Sequence, residues 1–406
     1  MAFGGVSPEH EVSVISTLQA AAELDASRYR AVPLYAAKDG IWYGGDMLLQ
    51  SEAYQNLDEL RERAERVRIV PGAFGKLELE IGAARAFSSP KRRVVDVLFL
   101  GFHGGDGENG GMQGLCEMLN VPYTGSGVFG SALGMDKVHS KFICRDQQIP
   151  IVEFVDIREP EWAGSEQQWL DQCERRVGYP AVVKPARLGS SIGISRCADR
   201  KALDDSIEDA FCYDDKIVIE RAVQRLREVN CSVLGDARHA VPSVLEEPVR
   251  TRDESTLTFE DKYLRGNQGS GKARRRGAKA TSVPGGMASL DRIIPAQLSD
   301  LRTREIQDLA VHIFRLFECS GVARLDFLID EDTDRVFFNE INTIPGSFSF
   351  YLWDKSGISF RELTSRLIEI ALERHRQKNG RVRSFETNLL SLKSLQGLKG
   401  AKAERV

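Results

Sequence analysis

Three residues whose side-chain oxygens could bind a hard metal ion lie on two neighbouring apolar runs in the last quarter of the chain. Asp326 lies in Arg-Leu-Asp-Phe-Leu-Ile, and Glu340 and Asn342 lie in Val-Phe-Phe-Asn-Glu-Ile-Asn. These runs are typical of strands joined by a hairpin turn, and antiparallel pairing would bring the three side chains together on one face. Two carboxylates and an amide oxygen suit Mg²⁺, which shares its remaining positions with water and phosphate. The pattern therefore predicts a magnesium site. A solvated hairpin is the alternative, but burying unpaired charges among the flanking leucines and phenylalanines would be costly.

Three further polar clusters have spacings that suit a ligand. Glu9 follows a glycine turn directly before a helix, where backbone amides attract anions and the carboxylate could hold an amino group; a plain helix N-cap is the alternative. Lys184 ends a strand and is followed by a small-residue loop through Ser190 and Ser191, which would let the backbone approach phosphates; a plain hairpin loop is the alternative. Glu220 ends a buried strand whose backbone edge could bind an adenine ring.

The elements around these clusters predict an α/β protein with three units and a tail. A helix near residues 14–24, a buried strand at 95–102 and a helix near 112–119 alternate as in a mostly parallel sheet. The second unit is predicted to be α+β, with short strands around a helix near 201–211. A helix in the third unit is marked by Leu298, Leu301, Ile306, Leu309, Ile313, Leu316 and Phe317, which would cover a sheet. The predicted boundaries are 1–130, 131–226, 227–375 and a basic, disordered tail at 376–406.

Composition excludes several classes of protein. The chain has 406 residues, enough for two or three domains, and a net charge of -4, which gives no reason to expect nucleic-acid binding. Its seven cysteines are scattered singly without a C-x-x-C pair, which is typical of reduced thiols in the cytoplasm. No apolar run approaches the roughly 20 residues needed to span a bilayer, and the start lacks a signal-peptide pattern. We therefore expect a cytoplasmic protein without a membrane partner.

Taken together, the motifs resemble those of the D-alanine-D-alanine ligases of the ATP-grasp superfamily, from residue 4 to about 373. The segments that carry the resemblance are, in order, Phe3-Gly-Gly-Val-Ser-Pro-Glu-His-Glu-Val-Ser13, His103-Gly-Gly-Asp-Gly-Glu-Asn-Gly-Gly-Met-Gln-Gly114, Val121-Pro-Tyr-Thr-Gly-Ser-Gly127, Met135-Asp-Lys137, Lys184-Pro-Ala-Arg-Leu-Gly-Ser-Ser-Ile-Gly-Ile194, Asp261-Lys-Tyr263 and Asn339-Glu-Ile-Asn-Thr-Ile-Pro-Gly346. Several motifs of this length in a preserved order are very improbable by chance.

The resemblance implies a fold, a reaction and a set of partners. The fold is an ATP-grasp fold with an N-terminal Rossmann-like parallel sheet, a small central α+β domain and a larger C-terminal α+β domain, with ATP between the last two. In the reaction, ATP phosphorylates the carboxylate of one D-alanine, and the amine of a second attacks the acyl phosphate to give a peptidoglycan precursor. The cofactors are two Mg²⁺ ions, which Mn²⁺ can replace, and the enzyme is expected to be a homodimer.

The resemblance also implies a role for particular residues. The metal ligands are Asp326, Glu340 and Asn342, and the ATP ligands are Lys137, Lys184, Ser191, Glu220, Val223, Glu228 and Lys262. Among the catalytic residues, Glu9 would hold the ammonium group of the first substrate, and Ser190 would link Glu9 to Tyr263. Arg324 and the Gly346 amide would stabilise the oxyanion that forms during the reaction. The substrate pocket is lined by His103 and by Ser349 or Tyr351, and the stretch beyond Tyr263, including the basic residues at 265–286, would be a lid.

The second substrate is less well defined by the motifs. Residues 347–353 read Ser-Phe-Ser-Phe-Tyr-Leu-Trp, where this family commonly has a threonine- and serine-rich run that holds the acceptor's carboxylate. The Asp261-Lys-Tyr263 motif favours a dipeptide product over a depsipeptide. A ligase with another acceptor, such as D-serine, D-lactate or a different amino acid, is the main alternative, and a non-catalytic nucleotide-binding protein is another.

Overall fold

The computed structural model describes residues 1–72, 75–82, 90–249 and 292–384. These ranges contain three sheets, one in each predicted unit. Lys262, Tyr263, the predicted lid at 265–286 and most of the predicted tail lie outside the described residues.

The N-terminal unit is built on a six-stranded sheet of order β1-β2-β3-β4-β5-β6. Its strands are β1 Ala2–Gly4, β2 Leu34–Ala36, β3 Trp42–Gly44, β4 Glu65–Pro71, β5 Leu77–Ile81 and β6 Lys91–Val95. Its helices are α1 His10–Ala22, α2 Leu57–Arg63, α3 Gly105–Glu108, α4 Gly111–Met118 and α5 Val128–Met135, with 3₁₀ turns at Asp46–Leu49 and Ser51–Tyr54.

Among the described residues of this unit, parallel pairing is confined to the region around β1. β1 pairs with β2 in parallel, and single parallel bridges join Ala2 to Leu100 and Leu98 to Tyr123. The ladders from β2 to β6 are antiparallel, as is usual for neighbouring strands with short connections. The segment predicted as a strand at 95–102 is buried as expected, but β6 ends at its first residue and only single bridges follow.

The central unit is a four-stranded sheet of order β7-β10-β8-β9 covered by helices. Its elements are α6 Lys137–Asp146, β7 Phe154–Arg158, α7 Glu159–Trp162, α8 Glu166–Arg176, β8 Ala181–Pro185, β9 Ser195–Cys197, α9 Arg200–Phe211 and β10 Lys216–Arg221. β10 runs between β7 and β8 and is antiparallel to both. Helix α6 begins at Lys137 because the Asp136 side chain accepts hydrogen bonds from the backbone amides of Val138 and His139.

The C-terminal unit is a five-stranded antiparallel sheet of order β13-β12-β11-β14-β15. Its elements are β11 Leu226–Gly235, β12 Ala240–Pro248, β13 Arg292–Ile293, α10 Asp300–Leu316, β14 Gly321–Asp330, β15 Arg335–Asn342, a 3₁₀ turn Gly346–Ser349, α11 Phe350–Lys355 and α12 Phe360–Asn379. Asp326 pairs directly with Glu340 across the β14–β15 hairpin, as the sequence pattern predicts, and a bulge follows Asp326.

The predicted helix over the third sheet is α10, but one of its marker residues is on the wrong face. Ile306, Ala310, Ile313 and Phe314 are buried at helical spacing and cover β11 and β12. Leu301 is 80% exposed, because five residues before Ile306 correspond to a rotation about 140° away from the buried face.

Helix α12 continues beyond the boundary predicted for the third unit. Residues 376–379, predicted as part of a disordered tail, are its last turn, where Gln377 and Arg376 both bind Glu373. Earlier residues of α12, such as Leu363 and Leu367, pack into the N-terminal core and not into the C-terminal one. Among the helices in the described ranges, none combines the length and the apolar composition that crossing a bilayer requires.

Candidate active site

Two cavities lie where the three units meet. The inter-sheet cavity, between the central and C-terminal sheets, encloses about 1210 Å³ including space open to solvent. Of the predicted site residues, it is lined by Lys184, Ser191, Glu220, Val223, Glu228, Arg324, Asp326 and Glu340. The loop cavity, beside the N-terminal unit, encloses about 660 Å³ and is lined by Glu9, His103, Lys137, Ser190, Arg324, Glu340, Asn342 and Gly346. Because Arg324 and Glu340 line both, the two cavities meet at the β14–β15 hairpin.

Four predicted residues are not in either lining. Lys262 and Tyr263 lie outside the described residues. Ser349 and Tyr351 are buried and do not line these two cavities. The Tyr351 hydroxyl donates a hydrogen bond of 3.2 Å to Glu246, and the Arg292 guanidinium stacks on the Tyr351 ring at 3.9 Å.

The β14–β15 hairpin gathers charges of both signs. The Arg324 guanidinium donates two hydrogen bonds to the Asp326 carboxylate, at 2.7 and 2.8 Å. The Asn342 amide donates to Asp326 at 3.3 Å, and the Lys137 ammonium lies 3.3 Å from the Glu340 carboxylate. Strand alternation explains this arrangement, because Glu340 and Asn342 are two residues apart and Asp326 is opposite Glu340.

The oxygen ligands of this hairpin fit a divalent cation. Burial, together with the Glu340 and Glu246 carboxylates, raises the pKa of Asp326, although Arg324 opposes this shift. Clustered carboxylates whose repulsion is only partly offset are stabilised by a bound cation. In the described part of the chain, no group of three or more His, Cys, Asp or Glu side chains is arranged to hold a metal. A metal site at this hairpin would therefore need the amide oxygen of Asn342 beside the two carboxylates, a ligand type that hard ions such as Mg²⁺ accept.

A buried triad of two lysines and a glutamate lies at the inter-sheet cavity, which the glutamate and one of the lysines line. Glu220 is 2% exposed and lies between Lys184, at 2.6 Å, and Lys141, at 2.8 Å. Burial alone would raise the pKa of Glu220, but the two ammonium groups hold it at about 2. The Lys184 ammonium also donates to the Asn339 side chain of β15 at 3.0 Å, which links the central sheet to the hairpin.

Two loops approach the Glu9 carboxylate closely, each at a glycine. A Cβ atom on Gly104 would lie 2.7 Å from a Glu9 carboxylate oxygen, and one on Gly189 would lie 2.9 Å from it. The missing Cβ atoms at these two positions let the loops come this close to the carboxylate. Ser190 donates a short hydrogen bond to Glu9, which is the link predicted from the sequence.

Glu108 is a second carboxylate of the loop cavity, and the sequence analysis did not identify it. It is buried and accepts hydrogen bonds from the Gly104 amide at 2.9 Å, the Ile344 amide at 2.9 Å and the Thr343 hydroxyl at 3.2 Å. It thus joins a loop of the N-terminal unit to the segment that follows Asn342. Burial and, secondarily, the Glu9 carboxylate raise the pKa of Glu108 to about 7.

This raised pKa predicts a pH-dependent contribution of Glu108 to stability. The folded protein binds the proton more tightly than the unfolded chain does, so stability falls as pH rises from about 4.5 to about 7 and is level above that. Between pH 5 and pH 8 we expect wild type to lose on the order of 2–3 kcal/mol that Glu108→Gln does not lose. Melting temperatures of both proteins across this range test it. A difference between them that is constant with pH would contradict the raised pKa.

His103 is neutral and fixes the turn after β15. Burial, and to a smaller extent Arg324, lower its pKa to about 3. Its Nε2 lies 3.0 Å from the Ser16 hydroxyl, which accepts a hydrogen bond from the Ser347 amide at 2.9 Å. Ser347, Phe348 and Ser349 all have left-handed backbones, with φ of 51°, 53° and 51°. Such a run in residues other than glycine is unfavourable and must be held by its surroundings, here by Ser16 and by Phe99, whose ring packs against Phe348.

The buried neighbours of the predicted site residues that the sequence analysis missed have weak sequence signals. Lys141 lies one helical turn after Lys137, and Glu108 lies inside the glycine-rich motif that carries the resemblance. Asn339 lies beside Glu340 in the motif at 339–346 that also carries the resemblance. Ser16, Glu246 and Arg292 have no spacing that would distinguish them from ordinary surface residues.

Comparison with known proteins decides the family. The protein-family model described as "D-ala D-ala ligase N-terminus" matches residues 1–126 of the chain. The family model described as "D-ala D-ala ligase C-terminus" matches residues 143–280 and 286–369. The chain belongs to the D-alanine-D-alanine ligase family. It is 35% identical over 391 residues to a D-alanine--D-alanine ligase of Thermosipho melanesiensis, covering 96% of this chain and 97% of the relative.

Solved structures of D-alanine-D-alanine ligases have the same ATP-grasp fold as this chain. The enzyme from Coxiella burnetii matches with a TM-score of 0.73 and 27% identity, over 98% of this chain and 97% of that chain. A D-Ala:D-Ser ligase from Enterococcus faecalis matches with a TM-score of 0.71 and 24% identity, over 91% and 98%. The ATP-grasp fold predicted from the sequence is thus confirmed, and D-alanine-D-alanine ligases are enzymes that use ATP, D-alanine and a divalent metal.

Proposed function

We propose that this chain joins two D-alanine molecules into D-alanyl-D-alanine, with cleavage of ATP to ADP and phosphate, for peptidoglycan precursor synthesis. The observation that carries this proposal is the junction of the two cavities at Arg324 and Glu340. A nucleotide in one cavity and an amino acid in the other would meet there, beside the oxygen ligands of the hairpin.

The inter-sheet cavity has the groups that a nucleotide requires. Val223, at the exit of β10, and Glu220 would line the adenine site, and Glu228 would meet the ribose. Lys184 and Ser191 would contact the phosphates from the central sheet, and Lys137 from the start of α6. Lys262 is proposed from its sequence motif alone. Phosphoryl transfer depends mainly on positioning and charge neutralisation, which several lysines around one cavity supply.

The hairpin residues Asp326, Glu340 and Asn342 would hold the metal. We propose two Mg²⁺ ions, replaceable by Mn²⁺, because all three side chains present oxygen atoms and Mg²⁺ accepts phosphate oxygens in its remaining positions. Bound there, the metal neutralises charge on the transferred phosphoryl group.

The loop cavity is suited to the first D-alanine. Its ammonium would bind the Glu9 carboxylate, which Ser190 holds in place, and the neutral His103 would line the same site. Its carboxylate would then point to the junction at Arg324, where it can attack the γ-phosphate. Tyr263 would complete the link to Ser190.

The second step needs a group that stabilises an oxyanion. When the amine of the second D-alanine attacks the acyl phosphate, negative charge develops on the carbonyl oxygen, and phosphate leaves with the original carboxylate oxygen. Arg324 and the Gly346 amide line the loop cavity where this charge would form. Asp326 holds the Arg324 guanidinium by two hydrogen bonds, so that little reorganisation is needed during the reaction.

The acceptor would lie near the 347–351 segment. The hydroxyl oxygens of Ser347 and Ser349 are buried and have no hydrogen-bond partner among the described residues, whereas the Tyr351 hydroxyl is bonded to Glu246. The curated relatives carry the name D-alanine--D-alanine ligase, which favours D-alanine over D-serine or D-lactate as the acceptor.

Phosphate release from ATP tests the proposed function. With Mg²⁺ and D-alanine alone, we expect release and one molecule of D-alanyl-D-alanine per phosphate, identified by mass spectrometry. Release that requires D-serine, D-lactate or another amino acid in the mixture would reassign the acceptor, and no release with any acceptor would exclude a ligase.

We also propose that the enzyme is a homodimer. Helices α4 and α5 are in contact and expose Met118, Val128 and Phe129, of which Met118 is 89% exposed. Exposed apolar side chains on two contacting helices are typical of an interface. Light scattering should give the mass of two chains for wild type and one for the double variant Met118→Glu/Phe129→Glu. Leu301→Glu, which changes an isolated exposed leucine on α10, should remain dimeric, and a monomeric wild type would exclude the dimer.

The cysteines support a cytoplasmic location. All seven are free thiols, and all except Cys212 are buried. A protein with this many unpaired cysteines suits a reducing compartment.

A further inference from the structure

Helix α6 has two lysines on one face, and the proposed function uses only one of them. Lys137 lines the loop cavity, and Lys141 lies one turn later. Lys141 is 0% exposed and lines neither of the two cavities, so it lies behind the wall of the inter-sheet cavity. A fully buried ammonium is costly unless a partner compensates it, which makes the identity of that partner informative.

The partner of Lys141 is Glu220, a residue that does line the cavity. The Lys141 Nζ atom and the Glu220 Oε1 atom are 2.8 Å apart, and neither has any other hydrogen-bond partner in the described part of the chain. Burial lowers the pKa of Lys141, and Glu220 opposes that shift. The two groups therefore depend on each other.

The other oxygen of Glu220 holds the lysine proposed to contact phosphate. Its Oε2 atom is 2.6 Å from Lys184, so one carboxylate lies between two ammonium groups. The triad has a net charge of +1. Without Lys141, Glu220 and Lys184 would neutralise each other, and the cavity would lose the positive charge that attracts a nucleotide.

We propose that Lys141 is a positioning residue for nucleotide binding: it shares the Glu220 carboxylate from behind the cavity wall and so leaves Lys184 with charge to bind ATP phosphates. This inference rests on the proposed function in that it takes the cavity ligand to be a nucleoside triphosphate. It does not depend on the acceptor.

Calorimetric titration with Mg-ATP in the absence of D-alanine tests the inference. We expect Lys141→Met to raise the dissociation constant for Mg-ATP about tenfold, because the lost charge acts on ATP through the Glu220 carboxylate and not by direct contact. The KM for D-alanine should change less than twofold in the same variant. Lys216→Met is the matched control, because Lys216 is a buried lysine that also pairs with a carboxylate, Asp136, and lies on the same strand as Glu220. It should lower the melting temperature comparably and leave ATP affinity within about twofold.

A double variant separates a positioning role from a structural one. Lys141→Met leaves Glu220 paired with Lys184, so this variant is expected to fold, and Lys141→Met/Glu220→Gln removes in addition the carboxylate through which Lys141 is proposed to act. Because Lys141 acts only through Glu220, the double variant should bind ATP within about threefold of Glu220→Gln alone. Lys141→Arg, which keeps the charge, should stay within about threefold of wild type.

Three results would overturn the inference: an unchanged ATP affinity in Lys141→Met, an equal loss in Lys216→Met, or additive effects in the double variant. Failure of the proposed function gives a different result. A wild-type protein that binds ATP with high affinity but makes no dipeptide would exclude the ligase, while the comparison of ATP affinities would still decide the role of Lys141. A wild type that does not bind ATP would exclude both.

Discussion

Asp326→Asn is expected to lower kcat by about 10³-fold or more at saturating ATP, D-alanine and Mg²⁺. The substitution keeps the size of the side chain but removes one of two carboxylates proposed as metal ligands, and it weakens the paired hydrogen bonds that orient Arg324. The rate of phosphate release with D-alanine measures the effect. Mn²⁺ titration in the presence of ADP, followed by electron paramagnetic resonance, should show weaker metal binding.

Asp330→Asn is the matched control for this substitution. Asp330 lies on the same strand four residues later, where it accepts hydrogen bonds from Asp332 and Thr333 in the hairpin turn. It should retain activity within about twofold, as expected for a surface substitution. If Asp326→Asn retained more than a tenth of the wild-type kcat, the metal site would not be where we propose it.

Arg324→Lys should lower kcat by about 10²- to 10³-fold, the usual cost of removing one oxyanion donor. Lysine keeps the positive charge beside Asp326. It lacks the planar guanidinium that can donate two hydrogen bonds to Asp326 and still have a donor left for the substrate. The KM for ATP should change much less than kcat, because the interaction is proposed to strengthen only in the transition state.

Arg335→Lys on the neighbouring strand is the control for Arg324→Lys. Its guanidinium stacks on Phe337 at 4.9 Å, away from both cavities, and the variant should be close to wild type. A rise in the KM for ATP at constant kcat in Arg324→Lys would contradict the proposed role and assign Arg324 to ground-state binding instead.

The β14–β15 hairpin is the part of the site that local sequence predicts well. Alternation along a strand and a polar turn are sufficient to bring Asp326 opposite Glu340, and the observed register confirms this. The bulge after Asp326 was not predictable, since it depends on pairing with two neighbouring strands and not on the residue itself.

Contacts between distant segments explain what the sequence analysis missed. Lys141 and Glu220 are 79 residues apart in the chain, and only the packing of α6 against the central sheet shows that the lysine is buried. Glu108 binds residues more than 230 positions away, across two units. Charged residues in these places have the same sequence pattern as solvated ones, so burial has to be observed.

The left-handed run at 347–349 was similarly beyond prediction. Serine and phenylalanine rarely adopt this backbone, and the run is held by contacts with Ser16 and Phe99 from the N-terminal unit. A local pattern predicts a residue's usual conformation, whereas this turn is determined by its tertiary surroundings.

Transfer of oxygen from D-alanine to phosphate is the most direct test of the proposed reaction. D-alanine labelled with ¹⁸O in its carboxylate is incubated with the enzyme, ATP and Mg²⁺, and the released phosphate is examined by mass spectrometry. If the donor carboxylate attacks ATP and the acyl phosphate is then opened by an amine, each phosphate carries one ¹⁸O atom and each is matched by one D-alanyl-D-alanine. Phosphate without the label would show that ATP is cleaved by water and would contradict the ligase reaction.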